Sequence, residues 1–218
     1  MTILALEFSS EQRSVAVARD GAVLAEAVET GGRSTAAFGM ILKILEEAKI
    51  CREYIDVLCI GLGPGSHTGI RAAISIAQGW QLARQVKLLG GSSVEAIAAH
   101  AHAEKIFGRV NVVIDAQRGE FYLAAYDVSA DGWREIEPLK TVPLAEVQLR
   151  ADAKEVLAGP EVAKWFPNGR TIFPRAAVLA KLAACRNGYQ AGEKLEPVYL
   201  RETNFVKAPP ATLPTGLF

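Results

Sequence analysis

Hydrophobic positions in the first third of the chain form short runs and then a helical stripe. Ile3 to Phe8 is apolar apart from Glu7, the pattern of a strand buried on both faces. Ser14 to Arg19 and Ala22 to Val28 are two further strand-like runs, and Asp20-Gly21 between them is a hairpin signal. Thr30 to Arg33 predicts a loop, with Ser34 placed to cap the helix that follows. That helix repeats Ala37, Met40, Ile41, Ile44, Leu45 and Ala48 at helical spacing. Phe38 and Leu42 widen its stripe past what one sheet needs. Two readings stay open, deeper burial within the chain and a partner surface.

Asp56 to Leu62 predicts another strand, which runs into Gly61-Leu62-Gly63-Pro64-Gly65-Ser66-His67-Thr68-Gly69. A helix from about Thr68 to Gln85 carries Gly69, Ala72, Ile76, Gly79 and Ala83 along one side and further apolar residues along another. Such a helix is either sandwiched within the chain or paired with the Phe38/Leu42 helix in a docking face. Val86 to Gly90 predicts a strand, and Ser92 or Ser93 caps a helix reaching about Glu104. A second set follows: strands at Asn111 to Ala116, Phe121 to Val128, Trp133 to Val142 and Lys154 to Ala158, with a hairpin signal at Ala130-Asp131-Gly132. A helix over Ala176 to Cys185 is ended by Asn187-Gly188, and the proline-rich stretch from Ala208 is expected to be loose. The pattern predicts an α/β protein of two lobes, 1–106 and 107–218, each a mixed sheet with helices packed on it.

Composition narrows the function. The chain has 218 residues, 50% hydrophobic, with 24 basic and 24 acidic side chains, enough for a substantial core and unlike a disordered chain. A net charge of zero argues against a protein that holds nucleic acid mainly by its own charge. The three cysteines form no CxxC pattern, which points to a reducing compartment and no structural zinc. The start of the chain lacks a basic leader, and no run approaches the ~20 apolar residues of a membrane span. A cytoplasmic protein with no membrane association is expected.

The glycine-rich turn at Gly63, Gly65 and Gly69 is the most informative segment. A strand feeding a Gly-Pro-Gly turn and a helix start offers backbone N–H groups to an anion. Yet Gly69 is followed by Ile70-Arg71 and not by the Lys of a Walker A loop, and Gly69 falls one position late for G-x-G-x-x-G. Tight turning and close packing are the preferred account of these glycines. His100 and His102 stand about 200° apart on a helix, so they do not share a metal easily. No HExxH or G-x-S-x-G occurs, and no metal site or catalytic residue is assigned. Glu7 and Asp115 end the first strand of each set, where a cleft-bound metal–nucleotide would want acids.

The sequence Gly63-Pro64-Gly65-Ser66-His67-Thr68-Gly69-Ile70-Arg71 resembles the GPGSFTGLR signature of the bacterial TsaB (YeaZ) family. Ile3 to Ser10 is similar to its LALDTS segment, and Gly91 to Ala96 to its GVSSLEAL. Ile114 to Tyr122 is similar to DARRGEVY, and Pro197-Val198-Tyr199-Leu200-Arg201 to the closing PxYLR. Glu7-Phe8 stands where the family has Asp-Thr, His67 where it has Phe, and Arg33 to Ala37 lacks a His often found there.

The resemblance implies a two-lobed fold of the actin/sugar-kinase/Hsp70 type and a role in forming threonylcarbamoyladenosine at position 37 of ANN-decoding tRNAs. It implies a non-catalytic subunit that docks on a TsaD-type paralogue, is joined by a TsaE-type ATPase, and self-dimerises when alone. No cofactor is assigned to this chain, although ATP is compatible with the complex. The first lobe would dock through Phe38, Ile41, Leu42, Leu45, Ala72, Ile76 and Gly79. The alternatives are a small-molecule kinase or ATPase of the same fold and, further off, a peptidase.

Overall fold

The computed structural model describes residues 1–31 and 36–200. The first sheet is built from β1 (Thr2–Glu7), β2 (Gln12–Arg19), β3 (Ala22–Thr30), β4 (Val57–Gly61) and β5 (Lys87–Gly91), in the order β3-β2-β1-β4-β5. The second is built from β6 (Gly108–Asp115), β7 (Glu120–Ser129), β8 (Gly132–Pro143), β9 (Val156–Gly159) and β10 (Arg170–Thr171), in the order β10-β9-β6-β7-β8. In each sheet the first three strands form an antiparallel meander and the last two add parallel to the first strand. The topology is therefore duplicated, and Glu7 and Asp115 end equivalent strands.

Among the described residues six α-helices, α1 (Ala37–Glu47), α2 (His67–Arg84), α3 (Ser93–Ala103), α4 (Leu144–Asp152), α5 (Val162–Trp165) and α6 (Ala176–Ala184), cover the sheets. Strand alternation sends Leu4 and Leu6 to one face of the first sheet, where they meet Met40 and Ile44 of α1 and Ile70 and Ile74 of α2. Ile3 and Ala5 point the other way, onto Leu179, Ala180 and Ala183 of α6. In the second sheet Val112 and Ile114 face Val94, Ile97 and Ala101 of α3, while Val113 and Phe121 face Val147, Val162 and Phe166 on the α4/α5 side. The order across the molecule is α1/α2, first sheet, α6 and α3, second sheet, α4/α5.

The helices thus cross the line between 106 and 107. α3 precedes that line but packs on the second sheet, whereas α6 follows it and packs on the first. Glu26 of β3 anchors the exchange: its carboxylate accepts from Arg175 Nε at 3.1 Å and from Ala177 N at 3.0 Å, while Ser14 Oγ accepts from Ala176 N at 2.8 Å. Two strands of the first sheet thereby cap a helix from the second half of the chain.

Local expectations shift by a residue or two at most element ends, as fraying ends do. Ser92 caps α3, its Oγ accepting from Glu95 N at 3.3 Å, and Ser66 caps α2 in the same way through Gly69 N. Ser34, expected to cap α1, lies outside the described residues, as does the stretch from Ala208. The described N-cap of α1 is Ala36, which makes no side-chain cap bond. α6 ends at Ala184, ahead of Asn187-Gly188. α4, α5 and β10 were not foreseen. Among the described residues no helix is long and apolar enough to cross a membrane.

Candidate functional site

The glycine turn between β4 and α2 is closed from both sides by this chain. A Cβ on Gly65 would collide with the carbonyl of Ser9, one on Gly69 with that of Phe8, and one on Gly61 with the Glu7 carboxylate. Gly63 has φ +90° and Gly65 +146°, values that favour glycine. Ser66 N donates to Ser9 O at 2.6 Å, and Ser93 N to Gly63 O at 2.9 Å. Gly63, Gly65 and Gly69 therefore sit together, the last two packed against the backbone of the corner after β1.

Glu7 is fully buried at the head of this turn. Its Oε1 accepts from Ser9 N at 2.7 Å and its Oε2 from Ser93 Oγ at 2.8 Å, while Ser93 Oγ accepts from Gly63 N at 3.2 Å. Burial pushes its pKa above the usual carboxylate range, and the bonds from Ser9 and Ser93 oppose that rise. Asp115 holds the β6–β7 turn instead, its Oδ1 accepting from Gln117 N at 2.7 Å. Glu161, which pattern alone did not single out, precedes α5 with one carboxylate oxygen buried and unpartnered. Burial first, then the nearby Glu11 and Asp115 charges, raise its pKa, against the lowering effect of Lys164.

The histidines are dispersed. The His67 ring lies 4.9 Å from that of Tyr199, whose hydroxyl accepts from Arg71 at 3.0 Å, so Pro197 to Leu200 docks on the start of α2. His100 Nδ1 is 2.9 Å from Phe173 O, and the His102 ring lies tilted against that of Trp133, 5.3 Å between centroids. Among the described residues no three His, Cys, Asp or Glu side chains are placed to hold a metal ion.

A concave surface lies on the outer face of the first lobe. A groove of about 840 Å³ runs between α1 and α2. Of the residues singled out for docking, Phe38, Ile41, Leu42, Leu45, Ile76 and Gly79 line it, and Ala72 does not. Ile41 and Leu45 are buried in its floor, while Phe38 and Leu42 stand 67% and 66% exposed on its wall. The residues that widen the α1 stripe are thus not buried deeper within this chain, and α2 is not sandwiched. Ala83, placed by spacing on the same side of α2, lines the groove too, and Trp80, Ile50, Arg52 and Arg84 join it without having been foreseen. Trp80 belongs to the same α2 face as Ile76, so spacing alone would have found it. The indole Nε1 of Trp80 is buried with no hydrogen-bond partner.

Residues 33–196 match the TsaD family, described as tRNA N6-adenosine threonylcarbamoyltransferase. The chain is 31% identical to the tRNA threonylcarbamoyladenosine biosynthesis protein TsaB of Escherichia coli (strain K12), over 92% of this chain and 95% of that one. It superposes on YeaZ from Pseudomonas aeruginosa with a TM-score of 0.78 and 29% identity, covering 91% of this chain and 99% of the other. A crystal structure described as an uncharacterized protein with similarity to peptidase YEAZ, from the same organism, gives 0.79 and 30%, covering 92% and 99%.

Proposed function

The chain belongs to the TsaB (YeaZ) family and takes part in tRNA threonylcarbamoyladenosine biosynthesis, and from that membership we propose that it is a non-catalytic subunit which docks on a TsaD-type transferase through the α1/α2 groove. The groove carries this reading. Phe38 and Leu42 are large apolar side chains held in water beside an apolar floor, an arrangement that a partner surface relieves.

The titratable groups support the same division of labour. Glu7 is consumed in bonds to Ser9 and Ser93, Asp115 in a turn, and each histidine in a local contact. Gly65 and Gly69 are required for close packing against the Ser9 and Phe8 carbonyls. The chain's contribution is therefore to position the transferase, which acts at position 37 of ANN-decoding tRNAs. A TsaE-type ATPase joins the pair, ATP acts at the level of the complex, tRNA is met through the partner, and copies of this chain pair through the same groove when the partner is absent. The setting is the cytoplasm.

The test is size-exclusion chromatography with light scattering on this chain alone and mixed with the TsaD-type protein of the same organism. A self-dimer that converts to a one-to-one heterodimer is expected. Separate elution of two folded proteins would overturn the proposal.

A further inference from the structure

Arg13 is a buried cation without an anion. It sits in β2 with 7% of its surface exposed, and among the described residues neither an ion pair nor a hydrogen bond reaches its guanidinium. Its Nε is enclosed and unpartnered, whereas its terminal nitrogens keep an opening. The guanidinium carbon lies 5.5 Å from the centroid of the Phe8 ring, and Phe8 stands where the family has Thr. A ring face offsets part of the cost of taking the charge out of water, but it leaves the N–H donors unsatisfied. Burying an unpaired charge is unfavourable, so the position calls for a counter-ion.

Among the described residues no carboxylate provides one. Glu29 stands directly opposite on β3, yet the two form no ion pair. Strand alternation puts Arg13 on the face of β2 that carries Val15 and Val17, towards α1, while Ser14 turns to α6. β3 ends at Thr30, opposite Gln12, so α1 is entered from Arg13's end of the sheet. Ala37 packs on the same cluster as Phe8 and Val15. Ala36 makes no side-chain cap bond and the first turn of α1 holds no acid, while the N–H groups of Ala37, Phe38 and Gly39 have no intrahelical acceptor. A guanidinium and a helix start, each favouring an anion, thus lie at one corner of the sheet.

We infer that Arg13 and the start of α1 form a binding site for a phosphate group, free or carried by a small molecule. Phosphate is the class that fits. A guanidinium offers it paired N–H donors, and a helix N-terminus adds backbone N–H groups and a positive potential. The site is separate from the α1/α2 groove, which Arg13 does not line. It also lies on the sheet face opposite to α6, away from the second lobe. It holds whether or not the groove docks a partner.

The experiment follows the full chain in inorganic phosphate, and in acetate or chloride of equal ionic strength. It reads Tm and the Nε–Hε NMR signal of Arg13 for wild type, and Tm for Arg13→Met, Arg13→Lys and Glu29→Gln. Phosphate at about ten times its Kd is expected to raise the wild-type Tm by about 3 °C and to shift the Arg13 signal over the same concentrations. Arg13→Met is expected to lose the response, Arg13→Lys to weaken it about tenfold, and Glu29→Gln to strengthen it about threefold. AMP in place of phosphate separates the sources: a tighter response assigns the phosphate of a nucleotide, and an equal one the free ion. An equal rise of Tm in Arg13→Met, an Arg13 signal that stays in place, or an equal response to acetate overturns the site. So does a matched loss of stability in Arg13→Met and Glu29→Gln with no response to phosphate, which makes Glu29 the counter-ion. Should Arg13→Met fail to fold, the wild-type signal and Arg13→Lys decide.

Discussion

The Ser93 hydroxyl donates to Glu7 Oε2 at 2.8 Å, tying the end of β1 to the first turn of α3. Because α3 packs on the second sheet, one buried carboxylate helps to join the two lobes. Its burial raises its pKa, and the sign of the consequence follows from linkage. The native state holds the proton more tightly than the unfolded chain, so stability falls as pH rises from the ordinary carboxylate value, about 4.3, through the raised native one.

Glu7→Gln keeps the shape and removes the ionisation. Its denaturation midpoint is expected to be flatter between pH 4 and 8 than wild type, with no loss at neutral pH. Glu7→Ala leaves Ser9 N and Ser93 without their acceptor beside a cavity, at a cost of about 2–3 kcal/mol. Urea unfolding followed by far-UV circular dichroism checks both, and a pH slope in Glu7→Gln as steep as wild type would sink the assignment.

Glu26 makes a second prediction about the join between lobes. It is largely buried, accepts from Arg175 and Ala177, and so serves both as ion-pair partner and as cap for α6. Glu26→Ala exposes the first turn of α6 and leaves Arg175 unpaired, an expected loss of about 2 kcal/mol. Ser14→Ala, which orphans only Ala176 N, is expected to cost about 1 kcal/mol. A scanning-calorimetry series in which Ser14→Ala is the more damaging would contradict this ranking.

Much of this architecture was legible in the sequence because local signals were strong. Runs such as Ile3 to Leu6 with hairpin signals at Asp20-Gly21 and Asp131-Gly132 specify strands and their pairing, and Ser66 and Ser92 mark helix starts. What stayed hidden depends on distant contacts. α6 carries small apolar residues that suit either sheet, and only Glu26 and Ser14, some 150 residues earlier, select the first. α5 is a single turn with too few residues to show a period. The duplicated strand order was hard to see because the helices exchange lobes. At the groove, Phe38 and Leu42 announced themselves as surplus to the α1 stripe, whereas Arg52 and Arg84 meet only through Glu53 in space.

The cysteines separate by environment. Cys59 lies in β4, 2% exposed between the first sheet and α6, and burial followed by the Glu7 charge pushes its thiol up to about 12. Cys51 and Cys185 are exposed. Thiolate is the reactive form, so a disulfide-exchange reagent at pH 8 is expected to modify two thiols rapidly and the third only as the protein unfolds. Three fast thiols in the native protein would show that β4 is accessible, contrary to the packing.

Leu42 and Leu82 offer a paired test of where the sticky surface is. Both are exposed leucines, at 66% and 90%, but Leu42 stands on the groove wall and Leu82 does not line it. Replacing either by Asp changes little that the folded chain buries, so each is expected to stay within about 0.5 kcal/mol of wild type. Leu42→Asp places a charge where a partner must exclude water, and self-association and binding to the TsaD-type protein are both expected to be lost. Leu82→Asp is expected to retain both, because its charge stays in solvent. Light scattering across a dilution series reads the difference directly. If Leu82→Asp abolishes association while Leu42→Asp preserves it, docking runs over the outer ridge of α2 and the groove is not the site.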